Sequence, residues 1–125
     1  MHNEVERREK RYPYRWPVAI VFDASEGQGT YRGTTQDLSL HGCCILTDHN
    51  VYSAKTVTVL LSLPSDHPGV RRRVIETKAR MAYTVLAAGQ HQFRCGIQFV
   101  HFKDKGLEIL RQAIEKRSIT HEISR

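Results

Sequence analysis

The sequence has few of the features that mark membrane, secreted or disulfide-stabilised proteins. No apolar run approaches the roughly 20 residues that a transmembrane helix requires, and the N-terminus lacks the apolar segment of a signal peptide. The three cysteines, Cys43, Cys44 and Cys95, are odd in number and have no CxxC spacing. This pattern matches neither a disulfide framework nor a zinc knuckle and is typical of reduced thiols. We therefore expect a cytoplasmic protein.

Signals for catalysis and for metal binding are also lacking. The seven histidines do not combine with other ligands at the short, characteristic spacings of a metal site. No GxSxG, HExxH or P-loop motif is present, and no nucleophile–base pair stands out. We therefore predict that the protein is not an enzyme and carries neither a metal nor a cofactor.

What the sequence does have is an excess of positive charge. Nineteen Lys and Arg residues against 13 Asp and Glu residues give a net charge of +6 and a pI of about 9.5. Such a charge favours an anionic partner, which could be a nucleotide, a nucleic acid or a membrane headgroup. The 125 residues, 40% of them hydrophobic, are enough for a single domain, 1–125, with its own core.

Hydrophobic periodicity divides the chain into an arm, a β-rich body and a helix. Residues 1–16 are polar and charged, and Pro13 disfavours a helix there, so we expect a flexible arm unless something holds it. Residues 17–102 contain six strand-like runs separated by turn formers. Their spacing predicts a mostly β fold, a six-stranded antiparallel β-barrel whose closure removes exposed sheet edges.

The C-terminal segment has a different period. Leu107, Leu110, Ala113 and Ile114 recur at helical spacing, with charged residues between them. This pattern predicts an amphipathic C-terminal α-helix over 103–117 that packs against the barrel, followed by a tail over 118–125.

A cluster of basic residues lies in the arm, at Arg7-Arg8-Glu9-Lys10-Arg11, with Arg15 beyond it. Charge in an arm is most often solvated or makes nonspecific contacts. Several guanidiniums aimed at one site could instead bind phosphates through their planar forks and stack on purine rings.

A second short motif, Asp37-Leu38-Ser39-Leu40-His41-Gly42, lies between two predicted strands. Asp and Ser commonly stabilise turns, and Gly42 would then be the usual residue with a positive φ. In a binding site, Asp37 would accept hydrogen bonds from a guanine edge, Ser39 would offer its hydroxyl, and Gly42 would allow close backbone approach.

Taken together, the two motifs resemble the signature of PilZ domains, RxxxR followed by [D/N]xSxxG. Arg7-Arg8-x-x-Arg11 matches the first part and Asp37-x-Ser39-x-x-Gly42 the second, and the resemblance spans about residues 6–115. Arg11-x-x-x-Arg15 also matches RxxxR. We prefer the register with Arg7 and Arg11, because Arg15 lies too close to the first predicted strand for a free arm.

The resemblance implies binding of cyclic di-GMP, often as an intercalated dimer. In that case Arg7 or Arg8 and Arg11 would contact phosphates and guanine faces. Asp37 and Ser39 would bind guanine or a nearby phosphate. The implied ligand-binding residues are Arg7, Arg8, Arg11, Asp37, Ser39 and Gly42.

Three functions follow as hypotheses. The first is a cyclic di-GMP receptor that orders its arm on binding and signals to a protein partner. The second is a small nucleic-acid-binding β-barrel, suggested by the basic pI, although aromatic residues for a stacking platform are few. The third is a PilZ-like adaptor that makes protein contacts without a ligand.

Overall fold

Six β-strands form a closed antiparallel barrel in the computed structural model, which describes residues 10–65, 67–89 and 91–124. One α-helix follows the barrel. The elements are β1 (Pro17–Val21), a 3-10 turn (Ala24–Glu26), β2 (Thr30–Leu38), β3 (Gly42–Thr47), β4 (Val57–Leu63), β5 (Arg73–Leu86), β6 (Phe93–Phe102) and α1 (Gly106–Ser124). The predicted six-stranded antiparallel barrel with a C-terminal helix is confirmed.

The strands follow one another around the barrel in the order β1-β2-β3-β6-β5-β4, and β4 pairs with β1 to close it. The β5–β6 ladder is the longest and contains irregularities between Lys78 and Ala79 and between Met81 and Tyr83. A bulge changes which side chains face outward along a strand. After the second irregularity, Tyr83 lies opposite Gly96.

The hydrophobic core fills the inside of the barrel. Strand β4 shows the alternation most clearly, because every second residue from Val57 to Leu63 is buried. Burial of each such side chain stabilises the fold by about 1.5–3 kcal/mol. The largest side chains with almost no exposed surface are Ile20, Leu38, Ile45, Leu61, Leu63 and Leu110.

The predicted arm is held against the barrel at its C-terminal end. Tyr12 forms a β-bridge with Leu38, with backbone N–H···O distances of 2.7 and 2.9 Å. The side chain of Trp16 is buried, and the rings of Tyr12, Tyr14 and Trp16 stack in series with centroid distances of 5.4 Å. This aromatic contact offsets the entropy lost on ordering. Residues 1–9 lie outside the described residues.

The buried hydroxyl of Thr35 fixes this segment. Its Oγ1 atom donates to the carbonyl oxygen of Tyr14 at 2.6 Å and accepts from the backbone N–H of Trp16 at 2.8 Å. The backbone N–H of Thr35 in turn donates to the carbonyl of Trp16 at 2.9 Å. Residues 12–16 are therefore attached to β2 by several hydrogen bonds.

Helix α1 begins three residues later than predicted and extends to Ser124, so residues 118–124 are helical where we expected a tail. No glycine or proline interrupts this stretch to end the helix. Leu110 and Ile114 are buried against the barrel, whereas Leu107 is 38% exposed although it shares their predicted apolar face. Across the described residues, no helix combines the length and apolar character needed to span a membrane.

Candidate functional site

An open groove of about 810 Å³ crosses the outer wall of the barrel over β2, β3, β6 and β5. Its volume is within the range of about 300–1,000 Å³ that is usual for small-ligand sites. The N-terminal segment forms one rim. The lining residues are Arg11, Pro13, Arg15, Gln36, Asp37, Cys43, Cys44, Ala82, Tyr83, Arg94, Gly96, Ile97 and Gln98.

Arg11 and Asp37 come together at this rim from positions 26 residues apart. The Nε of Arg11 donates to Oδ1 of Asp37 at 2.8 Å. The Tyr12–Leu38 bridge explains the pairing, because it is antiparallel and makes Arg11 and Asp37, which precede the two bridged residues, diagonal neighbours across it. The two side chains are 44% and 34% exposed, and such pairs contribute about 1 kcal/mol or less to stability. The ion pair therefore mainly orients the guanidinium at the groove.

Ser39 lies in the motif turn and does not line the groove. Its side chain is buried, and its Oγ accepts from the backbone N–H of His41 at 3.0 Å. Its backbone N–H donates to the carbonyl of Gly42 at 2.8 Å. Ser39 instead borders a smaller cleft of about 190 Å³ between the arm, the turn and α1, together with Tyr12, Leu40, His41 and Ile114.

Gly42 is required for a different reason from the one its turn-like sequence suggested. Its φ is not positive; among the described glycines only Gly27, Gly29, Gly69 and Gly89 have positive φ. A Cβ atom at Gly42 would collide with the carbonyl oxygen of Ile97. The glycine therefore permits β3 to approach β6 at the start of the ladder, where Gly42 pairs with Gln98.

The remaining predicted arginines divide into two groups. Arg7 and Arg8 lie outside the described residues. Arg15 is exposed and lines the groove. The structure thus brings Arg11, Arg15 and Asp37 to one site, although Arg15 directly precedes the buried Trp16.

Four groove residues were not singled out from the sequence: Gln36, Tyr83, Arg94 and Gln98. A sequence signal did exist for β6, where Arg94, Gly96 and Gln98 alternate with the buried Cys95 and Ile97. This period of two places them on the outer face. The sequence pattern could not show that the N-terminal segment lies against the same face of the barrel.

The groove is positively charged and its thiols are neutral. Three guanidiniums and one carboxylate line it, a formal charge of +2. Burial raises the pKa of the Cys44 thiol, and burial together with the neighbouring thiol raises the pKa of Tyr83. Within residues 10–65, 67–89 and 91–124, no cluster of three or more His, Cys, Asp or Glu side chains could hold a metal. The arrangement suits an anionic ligand with planar groups that guanidiniums can bind.

Solved structures with the same fold include several proteins of low sequence identity. An inhibitor of motility from Bacillus subtilis matches with a TM-score of 0.71 and 16% identity over 90% of this chain and 51% of that one. The chain thus spans about half the length of that protein. The PilZ domain of Escherichia coli YcgR, solved with c-di-GMP, matches with a TM-score of 0.57 and 13% identity over 94% and 97% of the two chains.

The MrkH–c-di-GMP complex of K. pneumonia matches with a TM-score of 0.53 and 13% identity, over 94% of this chain and 52% of that one. At these identities the structural likeness establishes the fold. No curated protein sequence matches the chain significantly. A family model described as the PilZ domain matches residues 6–116, almost the whole chain, and the protein therefore belongs to the PilZ domain family.

Proposed function

We propose that this protein is a receptor for cyclic di-GMP that binds the ligand in the groove over β2, β3, β6 and β5. The observation that carries the proposal is the meeting of Arg11 and Asp37, one from each signature motif, at the rim of that groove. Family membership supports it, and so do two neighbours of the same fold that were solved with c-di-GMP.

The ligand's chemistry matches the lining. Cyclic di-GMP has two phosphodiesters and two guanines, and its two negative charges balance the formal +2 of the groove. Arg11 and Arg15 would bind phosphate through charge-assisted hydrogen bonds. Asp37 would accept from the N1–H and N2–H₂ donors of a guanine, sharing its carboxylate with Arg11 or exchanging one partner for the other.

We further propose that ligand binding fixes the arm across the groove. Arg7 and Arg8 would add contacts to phosphates and guanine faces, and the four residues from Arg11 to Arg7 can extend about 14 Å. Each charge-assisted hydrogen bond contributes about 1.5–3 kcal/mol, against about 1–2 kcal/mol for each backbone residue that becomes ordered. Because residues 12–16 are already attached to β2, only the positions before Tyr12 add to this cost.

Ser39 and Gly42 are assigned an indirect role in ligand binding. The Ser39 hydroxyl holds the turn through the His41 N–H, and Gly42 lets that turn lie close to β6. Both would therefore fix the position of Asp37 at the end of β2. Their loss would weaken binding through the shape of the turn.

The output of binding would be a changed surface for a protein partner, not a reaction. The motif turn has two sides: Asp37 faces the groove, whereas Ser39 and His41 border the cleft next to α1. Tyr12, which follows Arg11, lines the same cleft. A shift of the arm on ligand binding would therefore change the surface formed by the arm, the turn and the helix.

Calorimetric titration with cyclic di-GMP tests the proposal, with GMP and GTP as ligand controls. We expect wild-type binding that Arg11→Ala or Asp37→Ala weakens by roughly tenfold or more. The matched control is Arg71→Ala, since Arg71 is exposed and does not line the groove. No heat at high micromolar cyclic di-GMP, or equal affinities in all variants, would overturn the proposal.

The two alternative functions give different outcomes. Nucleic-acid binding would appear as oligonucleotide retention that persists at physiological salt, with an affinity that falls steeply as salt rises. An adaptor without a ligand would bind neither nucleotide nor oligonucleotide. Either result, obtained with folded protein, would replace the receptor hypothesis.

A further inference from the structure

Two groove side chains are carried by the barrel itself and belong to neither signature motif. Tyr83 is on β5 and Arg94 is on β6. Their positions depend on the longest ladder of the barrel, which pairs Tyr83 with Gly96 and Val85 with Arg94. They therefore face the groove independently of the arm that contributes Arg11.

Arg94 is held in place by a neighbouring strand. Its Nε donates to Oε1 of Gln36 on β2 at 3.1 Å, across the intervening strand β3. The same oxygen accepts from the thiol of Cys44 at 3.5 Å, so the Gln36 amide is fixed from two sides. A guanidinium that is already oriented loses less conformational entropy when it binds a phosphate.

The ring of Tyr83 packs so closely on the backbone of β6 that only glycine fits beneath it at position 96. A Cβ atom at Gly96 would collide with the Tyr83 ring. The thiol of Cys44 lies near the hydroxyl of Tyr83, and burial together with this thiol raises the pKa of Tyr83. Tyr83 nevertheless remains 43% exposed. One side of the ring is thus supported by the backbone of β6 while the residue keeps surface available in the groove.

We propose that Tyr83 and Arg94 form a barrel-borne half of the nucleotide site, in which Tyr83 stacks on a guanine ring and Arg94 binds a phosphate. The inference rests on the proposed cyclic di-GMP function and extends it. Aromatic rings bind bases by stacking, and an arginine beside such a ring meets the phosphate of the same nucleotide. Arg94 differs from an ordinary solvated arginine in two ways. Its guanidinium is held by Gln36, and it faces the same groove as Arg11 and Arg15.

The division of the site has a functional consequence. Arg11 and Arg15 reach the groove from the N-terminal segment, whereas the barrel-borne half is carried by β5 and β6 alone. Loss of Arg11 should therefore weaken binding without removing it, and loss of both Arg11 and Arg94 should remove it.

Titration of the full chain with cyclic di-GMP separates the contributions. We expect Arg94→Ala to weaken binding roughly 10-fold or more and Tyr83→Ala about 5-fold or more. Tyr83→Phe keeps the ring and should stay within about 2-fold of wild type, as should Arg32→Ala, an exposed β2 arginine outside the groove. Thermal melts show whether each variant folds. If Arg94→Ala or Tyr83→Ala does not fold, Arg94→Gln or Tyr83→Leu is used in its place.

A second readout distinguishes direct stacking from support of the fold. Stacking of guanine on Tyr83 should move its ring-proton NMR resonances upfield when cyclic di-GMP is added, and this shift should persist in Arg32→Ala. Suppose that Arg94→Ala and Tyr83→Ala both bind cyclic di-GMP with the wild-type affinity and that the ring resonances of Tyr83 do not move. The inference is then overturned, while the receptor function stands. If wild type binds no cyclic di-GMP, both fall.

Discussion

Replacement of Gly42 by alanine tests how the signature turn is built. Gly42 starts β3, where its backbone lies so close to β6 that a Cβ would meet the Ile97 carbonyl oxygen. That oxygen belongs to the backbone and cannot rotate away as a side chain could. The same region contains a hydrogen bond from Phe99 N–H to the His41 carbonyl at 2.8 Å and another from Ser39 N–H to Gly42 at 2.8 Å. The added methyl must therefore displace both β3 and the turn.

The size of the effect follows from two opposing contributions. Overpacking of a well-packed site costs about 1–3 kcal/mol, and replacing glycine recovers about 0.4–1 kcal/mol by restricting the unfolded chain. The expected net loss in the free energy of unfolding is about 1–2 kcal/mol. For a chain of 125 residues, this corresponds to a fall in Tm of roughly 3–10 °C.

The matched control is Gly96→Ala, measured with Gly42→Ala by thermal denaturation followed by circular dichroism. At Gly96 the new methyl meets the ring of Tyr83, a partly exposed side chain that can swing outward. We expect Gly96→Ala to lower Tm by only a few degrees at most and yet to weaken cyclic di-GMP binding. Equal Tm values for wild type and Gly42→Ala would refute the close-approach explanation.

Three further predictions concern stability. Thr35→Val should cost about 1–3 kcal/mol in urea unfolding, because it leaves the buried backbone groups of Tyr14 and Trp16 without their hydroxyl partner; an unchanged midpoint would contradict this. Leu110→Ala should cost about 2–5 kcal/mol, because Leu110 is completely buried between α1 and the barrel; a loss below about 1 kcal/mol would show that the helix packs loosely. Burial raises the pKa of the Cys43 thiol in the folded state, so the unfolded chain loses this proton first and stability should fall as pH rises above about 8.5. Urea midpoints across that pH should show the decline in wild type and a smaller one in Cys43→Ala.

Local patterns in the sequence were sufficient for the architecture. The strand-like runs predicted over residues 17–102 include β4, where Val57, Val59 and Leu61 alternate with less buried residues and are themselves buried. The helical spacing of Leu110 and Ile114 predicted α1 and its packing. Burial of one face is a strong constraint on register, because a shift by one residue would expose every core side chain. The barrel could therefore be predicted without knowing any contact between distant residues.

The candidate site could be predicted only in part, because it depends on contacts between strands that are far apart in sequence. The motifs identified Arg11 and Asp37, which do meet. Arg94 and Tyr83 reach the groove through the β5–β6 register and its bulge after Met81, and no local pattern specifies a bulge. The burial of Ser39 was likewise invisible in the turn sequence.

The aromatic residues of the arm show the same limit. Tyr12, Tyr14 and Trp16 occur at every second position in a segment that is otherwise polar and charged, so composition alone favoured a mobile arm. Their rings stack and their backbone pairs with β2. The cause is the buried hydroxyl of Thr35, which satisfies backbone groups of two arm residues at once. Such a partner can be recognised only when both segments are seen together.

NMR chemical-shift mapping during a titration with cyclic di-GMP can locate the binding site on the barrel residue by residue. If cyclic di-GMP binds in the groove, the amide shifts should concentrate at Arg11, Asp37, Cys44 and Gly96, which surround it. The amide resonances of Arg71 and Arg72, in the loop before β5, should stay unchanged because these residues do not line the groove. Shifts centred on that loop, or no shifts with saturating ligand and folded protein, would show that cyclic di-GMP does not bind in the groove.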